Sequence, residues 1–89
     1  MSGAERSALA DVIGYAQANR IHYSGHAWER MRQRRISTGD VSCALRNATH
    51  CKSELGERWC VTGPDLDSEE IQVIVIIEDG VLVVTTHGA

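Results

Sequence analysis

The spacing of apolar residues changes near residue 50, and this change restricts the chain to folds that separate helices from strands. Before residue 50, apolar side chains recur every three or four positions, as in helices with one buried face. After it they alternate or form short β-branched runs such as IQVIVII, which favours strands. This order predicts an α+β fold with three N-terminal helices followed by a four-stranded antiparallel β-meander.

Three helices are expected in the first half of the chain. Apolar residues at helical spacing predict the first over residues 4–19. Ser24 can cap a second helix over residues 25–35. Ser37 opens a third, which ends between residues 47 and 50.

The second half is expected to form the sheet. Asp79-Gly80 is a strong hairpin signal, and GPDLDSEE is typical of an acidic loop. The first strand is our expectation for the exposed edge of the sheet. The four strands are predicted at residues 52–55, 58–62, 71–78 and 81–86. The 89-residue chain is expected to form one domain. Residues 1–20 would hold the N-terminal helix, residues 21–50 the basic and capping helices, and residues 51–89 the antiparallel sheet.

Charge is distributed unevenly along the chain. The formal net charge is −3, which argues mildly against a non-specific nucleic-acid binder. Residues 20–35 nevertheless hold five arginines and one acid, whereas residues 65–79 hold six acids and no Lys or Arg. A chain with this distribution can be acidic overall and still present a basic face.

The cysteine pattern favours reduced, buried thiols and a cytoplasmic protein. The three cysteines lie eight and nine positions apart, without a CxxC pair. His22 and His26 are four apart, but a zinc site usually needs a tighter pair among its four ligands, so we expect no metal and no other cofactor. No stretch has the length of a membrane span.

The segment SGHAWERMRQRR, residues 24–35, carries the strongest chemical signal. His26, Arg30 and Arg34 are four apart, so a helix places them on one face. A histidine can transfer protons near neutral pH, and arginines bind phosphate bidentately. This combination suits cleavage of a phosphodiester without a metal. It equally suits a solvated basic helix in which Arg30 pairs with an acid such as Asp40.

Residues 26–37 also follow the pattern H-A-x-x-R-M-x-x-R-x-I-S. This resembles the signature of a widespread bacterial family catalogued as a domain of unknown function, which is similar to the BrnT and RelE/ParE-type toxins. Arg58-Trp59, Gly63 and the closing stretch 83–86 fit the family's strands, so the resemblance covers roughly residues 20–87. It implies helices packed on one side of an antiparallel sheet. For the toxin relatives it implies endoribonuclease activity and an antitoxin partner.

Two functions are therefore expected. The first is a toxin-like, metal-independent endoribonuclease of a bacterial toxin–antitoxin system, with RNA as substrate and an antitoxin as partner. The second is a non-catalytic protein-binding module on the same fold, acting on another protein or as a homodimer, which the acidic total charge favours. For the first function the predicted catalytic residues are His26, Arg30 and His87, and the predicted substrate-binding residues are Arg34, Arg58, Lys52 and Trp59.

Overall fold

The computed structural model describes residues 1–87 and contains three helices and a five-stranded sheet. The strand order in the sheet is β1-β5-β4-β3-β2, with β1 parallel to β5 and all other neighbours antiparallel. The helices are α1 (Gly3–Gln17), α2 (Gly25–Arg34) and α3 (Thr38–Arg46). The strands are β1 (Ile21–Tyr23), β2 (His50–Glu54), β3 (Arg58–Pro64), β4 (Glu70–Ile77) and β5 (Val81–His87). The last two residues of the predicted sheet range, 88 and 89, lie outside the described residues.

The α+β class and the three helices are confirmed, but the prediction of four strands, all antiparallel, is wrong. The additional strand is β1, which pairs in parallel with residues 81–83 of β5. The amide of Val81 donates to the carbonyl of Arg20, and the amide of Ser24 donates to the carbonyl of Val83, each at 3.0 Å. Three residues are too few to show a clear alternation. A parallel partner so far along the chain also leaves no local turn signal.

A serine caps the N-terminus of each helix. The hydroxyls of Ser2, Ser24 and Ser37 accept hydrogen bonds from backbone amides at the third helical position. Helix α2 ends where Arg35 adopts a left-handed conformation with φ of 56°. The amide of Ile36 then donates to the carbonyl of Met31, and the chain turns directly into α3. These local signals explain why helix positions were predicted to within about two residues at each end.

The helices pack against one face of the sheet. The chain has no Phe, and its core is built mainly from valines and other small apolar residues. Gly63 in β3 lets the backbone of α3 lie directly on the sheet: a Cβ atom at this position would overlap the carbonyl oxygen of Ala44 and lie 3.0 Å from its Cα. Seven core valines are fully buried: Val12, Val41, Val61, Val73, Val75, Val81 and Val83.

Strand β2 forms one edge of the sheet, where the sequence predicted the exposed edge, but the first turn of α1 covers part of it. The amide of Ser53 donates to a carboxylate oxygen of Glu5 at 2.9 Å. The amide of Cys51 faces the sulfur of Met1 at 3.4 Å. These outward amides are therefore already occupied. The opposite edge is β1, which offers only three residues.

The contact between Glu5 and β2 predicts a pH dependence of stability. Hydrogen bonds from the backbone amides of Ser2 and Ser53 lower the pKa of Glu5 from 4.5 to about 2. Because the folded-state pKa is the lower one, the carboxylate stabilises the fold above pH 4.5, and this stabilisation is lost as the pH falls from there towards 2. We expect Glu5→Gln to lower the denaturant midpoint at pH 7, and the difference from wild type to disappear near pH 2.

Glu70→Gln provides the matched control for this prediction. It removes the same charge from an exposed carboxylate that accepts no hydrogen bond among the described residues. It should leave the midpoint nearly unchanged at both pH values. An equal effect of the two substitutions would show that net charge, not the Glu5 contact with β2, governs the acid sensitivity.

Candidate functional site

Helix α2 and its C-terminal residue carry a concentrated positive charge. Four of the nine cationic side chains in the sequence lie within six consecutive positions. In residues 1–87 the one ion pair joins Arg20 to Asp79 at 2.9 Å, so none of these four arginines is paired with a carboxylate there. Three of them are exposed and Arg30 is half-buried. We call this set, Arg30, Arg32, Arg34 and Arg35, the arginine row.

His26 and Arg30 contact each other across one turn of α2. The Nε atom of Arg30 donates to Nε2 of His26 over 3.5 Å, the long limit of a hydrogen bond. A guanidinium group has no acceptor, so Nε2 of His26 is the acceptor in this contact. Among residues 1–87 the alternative ion pair between Arg30 and Asp40 is not seen, and the Asp40 carboxylate accepts from the amides of Ser37 and Leu66.

A β-bulge separates His87 from His26. The register of β4 with β5 shifts between Ile74 and Val75. Before the shift the odd-numbered Val81 and Val83 of β5 are buried, whereas after it the even-numbered Thr86 is buried. The hydroxyl of Thr86 has no hydrogen-bond partner in the described chain. His87 therefore turns to the sheet face that no helix covers. The structure thus places His26 and His87 on opposite sides of the sheet and does not bring them together.

The other predicted substrate-binding residues divide between the two faces. Arg58 and His87 line one groove of about 310 Å³ on the open face, together with Ile74. Lys52 is exposed on the same face, opposite Cys60 of β3. Trp59 is half-buried against the core on the helix-covered face, so it does not share this groove. The packing of Trp59 against the core gives this residue a structural role.

A larger cavity flanks α2 on the helix face that carries Gly25, Trp28 and Arg32. Its volume is about 620 Å³. Trp28 borders it with 52% of its surface exposed, and the Trp28 ring packs against Tyr23 with centroids 4.9 Å apart. Sequence reasoning missed this cavity because its lining residues, all within residues 25–38, come together only through the turn between α2 and α3. The lining residues are Gly25, Trp28, Glu29, Met31, Arg32, Ile36, Ser37 and Thr38.

Two of the three cysteines, Cys51 and Cys60, are buried thiols of low reactivity. Burial, followed by the nearby charge of Glu5, raises the pKa of Cys51 to about 11. Burial also raises the pKa of Cys60, so both thiols stay protonated at neutral pH and are poor nucleophiles. Over the same range no three His, Cys, Asp or Glu side chains gather as metal ligands. None of the described helices is long and apolar enough to span a membrane.

Comparison with known proteins gives one match. No curated protein and no solved structure matches the chain. A family described as "Domain of unknown function (DUF4258)" matches residues 23–86. This range contains α2, the arginine row, the cavity beside Trp28 and strands β2 to β4, with nearly all of β5. The chain therefore belongs to this family of uncharacterised domains.

Proposed function

We propose that this domain binds single-stranded RNA through α2, as a toxin-like domain that holds RNA without cleaving it. The observation that carries the proposal is the arginine row, which is exposed or half-exposed and has no ion pair within residues 1–87. Arginine binds phosphate oxygens in a bidentate manner, and closely spaced unpaired cations suit a polyanion. Residues 26–37 resemble the signature of a family that is similar to BrnT and RelE/ParE-type toxins, which supports RNA as that polyanion.

The geometry supports binding of RNA better than cleavage of RNA. Metal-independent cleavage needs a base for the 2′-hydroxyl and an acid for the leaving oxygen near one phosphate. His26 is the one predicted proton carrier on α2, and its Nε2 atom faces Arg30. His87 lies on the other face of the sheet. His26, Arg30 and Arg34 therefore act as three donors along one helix face. Arg32 and Arg35 add two exposed cations on the adjoining faces, so that each of the four arginines can contact a phosphate oxygen.

The second candidate function is binding of an antitoxin-like protein partner. The same unpaired arginines would suit an acidic segment of another protein laid along α2. Such a partner would occupy the RNA-binding face, so the two functions would exclude each other in time. RNA binding by the isolated domain distinguishes them, because a module specialised for protein recognition would not retain RNA at moderate salt.

The proposal is tested by comparing two variants that each remove two positive charges. Arg30→Ala/Arg34→Ala changes α2, and Lys52→Ala/Arg58→Ala changes the open sheet face. Binding of a fluorescein-labelled 12-nucleotide RNA is followed by fluorescence anisotropy at 0.1 M salt. Loss of two phosphate contacts should weaken binding by roughly twentyfold for the α2 variant, from counterion release alone. The open-face variant should stay within about twofold of wild type, because it makes none of these phosphate contacts.

Three results would contradict this proposal in different ways. Equal weakening by both variants would indicate attraction by net charge without a defined face. Absence of RNA binding by wild type would favour the protein-binding module. Cleavage of the RNA by wild type, seen on a denaturing gel and lost in a folded His26→Ala variant, would establish the endoribonuclease instead. Circular dichroism confirms that each variant remains folded.

A further inference from the structure

We propose that the cavity beside Trp28 is a nucleobase subsite, in which one unstacked base of the bound RNA lies against the indole ring. This inference rests on the proposed function and adds a second kind of contact to it. Arg32, which lines the cavity and is part of the arginine row, would hold the phosphate next to this base, and Arg30 and Arg34 would hold further phosphates on the adjoining helix face.

The aromatic platform is exposed and held in place. Trp28 is 52% exposed, although tryptophan is usually mostly buried. Its ring packs on Tyr23 at 4.9 Å with an interplanar angle of 38°. Tyr23 is itself fixed in β1 by pairing with Val83. The hydroxyl of Ser24 accepts from the amide of Ala27 and donates to the carbonyl of Val84, which ties the start of α2 to β5. An exposed aromatic ring on a rigid support stacks a base at little entropic cost.

The remaining walls have the mixed chemistry of a small-ligand site. The half-buried Ile36 and the almost fully buried Met31 form the aliphatic part of the lining. Glu29 can accept from a base N–H group, and the Thr38 hydroxyl, which forms no other hydrogen bond among the described residues, can donate or accept. The volume of about 620 Å³ lies within the range of known small-molecule pockets, roughly 300–1,000 Å³.

Charge favours a nucleotide over a peptide as the occupant. The cavity itself is lined by one arginine, Arg32, and one acid, Glu29, but the rest of residues 25–35 adds three arginines and no acid, so the surface around it is cationic. Single-stranded nucleic acid combines a phosphate with a flat ring in every repeat unit. Sites for it combine cationic and aromatic side chains in the same way. A peptide would need an acidic residue beside an aromatic one at a fixed position to match this surface.

The inference is tested with Trp28→Ala and two ligands, the 12-nucleotide RNA and inorganic polyphosphate of similar charge, measured by calorimetry. Stacking of one base contributes about 1–3 kcal/mol, so RNA affinity should fall at least fivefold, and about thirtyfold in the middle of that range. Affinity for polyphosphate, which has no bases, should stay within about twofold of wild type, because phosphate contacts alone hold it. Leu55→Ala is the control, because Leu55 is 93% exposed and lies far along the chain in the β2–β3 turn.

Fluorescence gives a second readout that does not require loss of Trp28. In a Trp59→Phe background, Trp28 is the only tryptophan, since the chain has two. RNA should quench its emission, and polyphosphate should not. If the Trp28→Ala variant is unfolded, the quenching measurement alone decides whether a base lies against Trp28.

The outcomes separate the two proposals. RNA binding that depends on Arg30 and Arg34 but not on Trp28 would overturn the base subsite and leave the proposed function standing. Equal loss of RNA and polyphosphate in Trp28→Ala would also overturn it. Quenching by polyphosphate as strong as by RNA would do the same. Absence of RNA binding by wild type would overturn both proposals, and binding of an acidic peptide in its place would assign the cavity to a protein partner.

Discussion

Replacing Gly63 with alanine should lower the free energy of unfolding by about 3 kcal/mol, the upper part of the range for overpacked cores. The added methyl group would overlap the carbonyl oxygen of Ala44 and approach the Ala44 carbonyl carbon to 2.8 Å. These are backbone atoms, so no rotamer change can relieve the overlap. Helix α3 would have to move away from β3, which would also separate Val41 and Leu45 from the sheet. Urea unfolding followed by circular dichroism measures the change.

Gly14→Ala is the matched control for this substitution. Gly14 is exposed in α1, and an added Cβ would meet nothing within 4 Å. Alanine should therefore stabilise the helix by about 0.5–1 kcal/mol, because glycine loses more backbone entropy on folding. The two glycine-to-alanine changes are expected to have opposite signs. A neutral Gly63→Ala variant would mean that α3 does not pack directly against β3 as described.

RNA affinity should fall steeply with salt if the arginine row contacts phosphates. Four contacts give a slope of about −2.8 in a plot of log affinity against log salt for a single strand, or a loss of about fiftyfold between 50 and 200 mM salt. Removing Arg30 and Arg34 should reduce the slope to about −1.4 and the loss to about sevenfold. Anisotropy titrations at four or more salt concentrations measure both slopes.

Two variants check the assignment of this slope to α2. Lys52→Ala/Arg58→Ala should keep the wild-type slope, because these cations lie on the open sheet face. Trp28→Ala should lower the affinity at every salt concentration without changing the slope, since stacking releases no counterions. A wild-type slope near zero would exclude the arginine row as the source of RNA affinity.

Local signals in the sequence were sufficient to predict the helices and most of the sheet. Serine caps and apolar stripes depend on residues three or four positions apart, and strand alternation depends on every second residue. Strand β1 has no such signal, since each of its three residues pairs with a residue of β5 that lies 60 positions further along the chain. Such non-local pairing depends on the whole fold and not on a sequence window.

The candidate site was predictable only where it is local. A spacing of four on a helix predicted the neighbouring positions of His26 and Arg30, and their side chains are in contact. The position of His87 depended on which face of β5 it occupies. Val81 and Val83 are buried, so simple alternation would also have turned His87 towards the helices. The bulge in the β4–β5 pairing reverses which residues of β5 face the helices, and no pattern in the sequence predicts this bulge.

The contact of the first turn of α1 with β2 has a consequence for the behaviour of the chain at high concentration. An uncovered edge strand is a template for intermolecular pairing and aggregation. Glu5 and Met1 occupy the outward amides of Ser53 and Cys51, and β1 at the opposite edge is too short to recruit a long partner strand. The N-terminal residues therefore act as protection against edge-to-edge polymerisation, and a tag or deletion that displaces them would expose the one edge long enough to nucleate it.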